Sequence, residues 1–172
     1  MVENDPNAGV KRAFEAYIEY TVQEASDFTL DDPQVSEIWI YTGFHRQATT
    51  TNVFYVWRGT LLWAREYADV NRRLSEADYH TLMARVNSDF AGALGQAFAE
   101  TNDTPVSIAS GYDAIEGGLS TDFTYSDQIP GGLAEQPQRL LDQWVVAKGG
   151  RPVGAVGQPR PNGRNFGPFF RR

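Results

Sequence analysis

At 172 residues and 19.2 kDa the chain is long enough to bury a core of its own, and its 13% aromatic content supplies large rings to fill one. It has no cysteine, which excludes disulfides, zinc–thiolate sites and thiol nucleophiles and points to a reducing compartment. The net charge of −7 is unevenly spread: residues 151–172 hold Arg151, Arg160, Arg164, Arg171 and Arg172 and no acid, so residues 1–150 set 22 acids against ten bases, a net −12. A body this acidic repels phosphate backbones and attracts basic proteins, which argues against direct nucleic-acid binding; the plainer alternative is that the acidity serves solubility.

The N-terminus, Met1 to Pro6, is acidic where a secretory signal would be basic. No stretch reaches the ~18 apolar residues of a membrane span, so a cytoplasmic location with no membrane contact is expected. In chain order, Val10, Ala13, Phe14, Tyr17, Ile18, Val22 and Ala25 recur at three- and four-residue spacing and predict an amphipathic helix over residues 7–25. Its other face carries Lys11, Arg12, Glu15 and Glu19, with Lys11 and Glu15 one turn apart. Residues 37–44 and 52–57 are β-branched and aromatic runs short enough for strands, and Arg58-Gly59 predicts a tight turn into a third, Thr60 to Ala64. Ser75 to Asp78 reads as a capping box that opens a long helix over residues 76–99, with Leu82, Val86, Leu94 and Phe98 on one face. Thr104 to Tyr112 and Leu119 to Ser126 read as two more strands joined by a turn at Glu116-Gly117-Gly118. Gln138 to Lys148 reads as a last helix stopped by Gly149. The order α-β-β-β-α-β-β-α predicts an α+β single domain over residues 1–150, an antiparallel five-stranded sheet with three helices packed on it. An irregular Gly/Pro/Arg-rich tail, residues 151–172, follows.

Catalytic patterns are sparse. His45 and His80 are the only histidines, and Glu76 with His80 reads as a surface pair one helical turn apart, not a metal site. The glycines of residues 149–157 follow a helix and match no phosphate-binding loop, and Ser110 and Ser126 have no histidine at a hydrolase spacing. Carboxylate pairs such as Asp31 with Asp32, or Asp122 with Asp127, arise by chance among 22 acids. Trp39, Tyr41, Trp57 and Trp63 could line a ligand pocket, but packing on the sheet is the expected role. No catalytic residue, metal or cofactor is assigned.

The order of segments resembles the YezG-like family of bacterial toxin immunity proteins. The first helix is followed by Glu37-Ile-Trp-Ile-Tyr41 and Val53-Phe-Tyr-Val-Trp57, then the amphipathic run of residues 76–99. The alternating strand Thr121-Asp-Phe-Thr-Tyr-Ser-Asp127 and a helix with Leu141-Asp-Gln-Trp144 complete the likeness, which covers residues 10–148. The resemblance implies an immunity protein that binds a cognate toxin domain one-to-one and occludes its active site, the toxin being a NAD glycohydrolase or a nuclease. A nuclease groove would be met by acidic surface residues such as Glu15. A NAD glycohydrolase cleft, built to stabilise a leaving cation, would be met by Lys11 or by Arg160, Arg164 and Phe166 of the tail. The tail departs from the family's usual ending. Two other readings stay open: a small ligand-binding domain or enzyme using the aromatic residues as a pocket, and an acidic adaptor or chaperone.

Overall fold

Every second residue of a strand faces one side of its sheet, so the unbroken run Ile38-Trp-Ile-Tyr41 has to be covered on both faces. The computed structural model describes residues 7–156 and shows how this is done. Helix α1 (Ala8–Phe28) leads to strands β1 (Val35–His45), β2 (Ala48–Trp57) and β3 (Thr60–Trp63). Helices α2 (Ala64–Val70), α3 (Glu76–Val86) and α4 (Asp89–Thr101) come next, then β4 (Ser107–Asp113), β5 (Leu119–Thr124) and α5 (Pro137–Ala147). The five strands form one sheet in the order β3-β2-β1-β4-β5, each pair antiparallel. The chain is thus an α+β single domain with helices on both sides of an antiparallel sheet.

Two-residue turns join the first three strands. Arg46 and Gln47 (φ 47° and 67°) turn β1 into β2, and Arg58 and Gly59 (φ 49° and 77°) turn β2 into β3. Paired left-handed residues match the twist of the strands they join, which is why such turns form tight hairpins. Between β4 and β5, Gly117 (φ 84°) donates its N–H to the Asp113 carbonyl at 2.8 Å.

On the first face, Ile38, Val53, Tyr55 and Leu62 pack with Phe28, Tyr67, Leu82 and Val86, and Ile40 and Ile108 pack with Tyr17, Ile18, Leu94 and Phe98. On the second face, Tyr41, Phe54, Leu61 and Trp63 pack with Leu141 and Val145 of α5. Two polar groups set the position of α1. The Tyr17 hydroxyl lies 2.8 Å from Thr42 Oγ1 and 2.7 Å from Thr51 Oγ1, and Tyr55 donates its hydroxyl to the Ala25 carbonyl at 2.9 Å. Below the end of α1, Asp32 Oδ2 accepts from Trp57 Nε1 at 3.1 Å and from the Tyr67 hydroxyl at 3.0 Å. These bonds hold the loop in which Leu30 and Asp31 sit at positive φ.

The helix expected over residues 76–99 is two helices, and the reason is an amide at the sheet edge. Because β3 has only four residues, it leaves the far half of β2 without a neighbouring strand. Asn87 fills part of that gap: its Oδ1 accepts the Thr51 N–H at 2.7 Å, and its Nδ2 donates to the Thr51 carbonyl at 3.0 Å. It satisfies a strand's two outward groups with one side chain. To reach them the backbone leaves the helix at Asn87, and α4 restarts at Asp89. Helix α2, seven residues beginning at Ala64, occupies a segment for which no helix was expected, and it takes Ala64 out of the third strand. The expected capping box is present, with the Asp78 N–H on Ser75 Oγ at 3.2 Å and the Ser75 N–H on Asp78 Oδ2 at 2.8 Å. Helix α5 ends as expected at Gly149 (φ 85°): Gly149 and Gly150 donate to the carbonyls of Val146 and Val145 at 3.0 and 2.9 Å.

Replacing Asn87 by Ala strands the buried Thr51 N–H and carbonyl, and urea unfolding should show a loss of about 1–3 kcal/mol; an unchanged midpoint would remove the edge-filling role. Burial raises the ionisation of Tyr17, Tyr55 and Tyr67 above the ordinary value of 10.0, with the neighbouring phenol of Tyr67 adding to the effect on Tyr55. A group whose folded value is raised contributes stability that is complete below pH 10 and is lost as pH rises toward the folded value. Ultraviolet titration should therefore leave these three tyrosines silent just above pH 10, with unfolding free energy falling as the pH rises further.

Candidate functional site

Lys11 and Glu15 lie on the exposed side of α1 together with Arg12 and Glu19, while Val10, Ala13 and Phe14 turn inward toward α4. They stand one turn apart, as expected, without forming an ion pair. Among the described residues the ion pairs are Arg65–Glu76, Arg85–Glu24 and Arg151–Glu66, and His80 Nε2 lies 3.6 Å from Glu76 Oε1. Glu76 and His80 are thus the surface pair that their spacing predicts. Arg160, Arg164 and Phe166 lie outside the described residues.

Of the four aromatic residues weighed as pocket walls, Tyr41, Trp57 and Trp63 are buried in the packing of the sheet. Trp39 is not. On the second face α5 packs over β3, β2, β1 and, at Ala109, part of β4, and Trp39 stands at the boundary with the uncovered remainder of β4 and β5. Its indole lies flat on Gly111, so closely that a Cβ there would come within 2.7 Å of the ring. The edge of Trp144 meets it at 5.8 Å between centroids, and Lys148 Nζ sits 3.9 Å from its centroid. Its Nε1 donates to Glu37 Oε2 at 2.7 Å.

The uncovered half is an open trough of about 360 Å³, lined by Glu37, Trp39, Gly111, Asp113, Leu119 and Ser120 among others. The β1–β4 register sets Glu37 directly opposite Asp113, so two carboxylates leave the sheet side by side. Asp113 Oδ1 accepts the N–H groups of Glu116 at 2.9 Å and Ile115 at 2.8 Å. These two bonds hold its carboxyl below the usual range, with Glu116 the larger influence, so Asp113 stays charged in mild acid. Two carboxylates beside a π face are groups that attract a cation.

A second cavity, about 220 Å³, lies where Asn52, Val53 and Trp63 meet Tyr79, Met83 and Val156. It is closed on one side by the first residues of the expected tail. Arg151 forms a two-pronged contact with Glu66 through Nε, at 2.9 Å, and Nη2, and its carbonyl accepts Trp63 Nε1 at 2.6 Å. Glu66 Oε2 in turn accepts the Trp63 backbone N–H at 3.1 Å, capping α2. The Val153 N–H adds a bond to Asp142 Oδ1 at 3.0 Å. Residues 151–156 therefore pack on the body. No sequence signal marks this pair, because Glu66 and Arg151 are 85 residues apart and each sits in an unremarkable local context.

No protein-family model matches the chain, and no curated protein does. The class that the fold and the site define is an α+β protein with an acidic, partly aromatic trough on one sheet face.

Replacing Arg151 by Ala would leave the Glu66 carboxylate buried without its cation. Chemical unfolding should show a loss of about 3 kcal/mol, and the Glu66→Gln/Arg151→Ala double variant should regain part of it. Equal stability of the single and double variants would show that charge burial is not the cause.

Proposed function

We propose that this chain is an immunity protein, a one-to-one inhibitor that covers the active site of a cognate toxin domain. The observation that carries the reading is where the acid lies. Among the described residues Glu66 is the only buried acid, and it is paired with Arg151. The other acids of residues 7–156 are therefore exposed or half-exposed on the folded body. Such a field speeds the approach of a basic protein and fixes its orientation. The resemblance of the segment order to that of YezG-like immunity proteins points the same way.

Two toxin chemistries fit different parts of this surface. A nuclease offers a basic phosphate groove, which the surface carboxylates, Glu15 included, would occupy as a substrate mimic. A NAD glycohydrolase offers a site for a departing cation, for which Lys11, exposed on the first turns of α1, would compete.

Co-expression with the toxin domain encoded in the neighbouring gene tests both. Host growth should be rescued, with a stable one-to-one complex on size exclusion. The molecule lost in cells without this chain, NAD or nucleic acid, then names the chemistry. Lys11→Ala should weaken rescue from a NAD-consuming toxin and leave a nuclease inhibited, whereas Glu15→Ala should do the reverse. Growth arrest with no complex would overturn the immunity reading in favour of a ligand pocket.

A further inference from the structure

We propose that the trough on the uncovered half of the sheet is the docking surface for an arginine of a basic partner protein, seated between Glu37 and Asp113 at Trp39 where Lys148 now lies. This rests on the reading of the chain as a binder of a basic toxin domain, and it names the surface that domain meets.

Three features carry the inference. First, like charges directly opposite one another on neighbouring strands are destabilising, and the register nevertheless fixes Glu37 against Asp113. A cation placed between them turns that cost into binding energy. Second, the Trp39 ring is held from three sides, by Gly111 beneath it, Trp144 at its edge and Glu37 on its Nε1. A ring so fixed loses no freedom on binding, which is what an interface anchor needs. Third, the ring already holds a cation. Lys148 Nζ lies 3.9 Å from its centroid, yet Lys148 forms no ion pair among the described residues. Lysine is a weak stand-in here. A guanidinium stacks flat on an aromatic ring and bonds two carboxylate oxygens at once, neither of which an ammonium does as well.

The test is fluorescence anisotropy with a labelled hexapeptide of alternating arginine and phenylalanine, and with its citrulline analogue, which keeps the shape and loses the charge. The full chain should bind the arginine peptide at least about tenfold more tightly than the citrulline one, and Glu37→Gln/Asp113→Asn should lose that preference. Lys148→Ala should bind more tightly than the unaltered chain, a gain that misfolding cannot produce. Equal binding of the two peptides, or an unchanged affinity in Lys148→Ala, overturns the proposal. So does tighter binding in a full-length Arg160→Gln/Arg164→Gln variant, which would give the trough to this chain's own C-terminal segment. Self-association lost in Glu37→Gln/Asp113→Asn would give it to a second copy. Full toxin neutralisation by Glu37→Gln/Asp113→Asn overturns this docking surface and leaves the immunity reading standing. Arginine-selective binding in a chain that neutralises no toxin supports the surface and removes the immunity reading.

Discussion

The central strand pair of this fold is apolar on both faces, and most of the architecture answers that constraint. With Ile38 and Ile40 on one side of β1 and Trp39 and Tyr41 on the other, the sheet cannot rest half in water. Four helices crowd the first face and its end, but only α5 is left for the second. Eleven residues of helix cover roughly the width of two or three strands, given strands about 4.8 Å apart and a helix about 10 Å across. The part of the second face that α5 does not reach is where the residues turn polar: Ser120 and Asp122 stand there in place of large hydrophobes. The trough is thus a consequence of having one helix too few for the sheet.

Apolar burial explains why the layers form, but not how they are aligned, because it has no direction. Alignment comes from a few buried or half-buried polar contacts. The Tyr17 hydroxyl is fixed between threonines of two adjacent strands, Asn87 bonds both main-chain groups of Thr51, and Asp32 gathers Trp57 and Tyr67. Each contact is met at one register of helix on sheet and broken at its neighbours. The same economy appears at the other end of the chain, where Arg151 ties the segment after α5 to the start of α2. A surface mounted on such a frame meets a partner with its shape already set.

Features governed by neighbours in sequence were legible in advance. The period of α1, the turn at Arg58-Gly59, the capping box at Ser75 and the helix stop at Gly149 all depend on residues a few positions apart, and all are present. The break between α3 and α4 was not legible, because the apolar period runs straight through it. What ends α3 is the demand of Thr51, 36 positions away, for a partner that β3 is too short to supply. Helix α2 is not legible in the sequence because seven residues hold too few turns to show a period. The candidate site divides the same way. Lys11 and Glu15 were placed correctly on the outer face of α1 because that face is a local property. The opposition of Glu37 and Asp113 is a matter of strand register, which pairs residues 76 positions apart and leaves no trace in either segment alone.

The amide of Asn87 also makes the two edges of the sheet unequal. One edge is a four-residue strand extended by a side chain that already occupies the adjoining main-chain groups, while the other is β5, paired on its inner side alone. Sheets that polymerise need two receptive edges, so that each added copy offers the next a place to join. The Asn87 amide thus guards one stretch of sheet edge, by filling the Thr51 groups that an added strand would have to use.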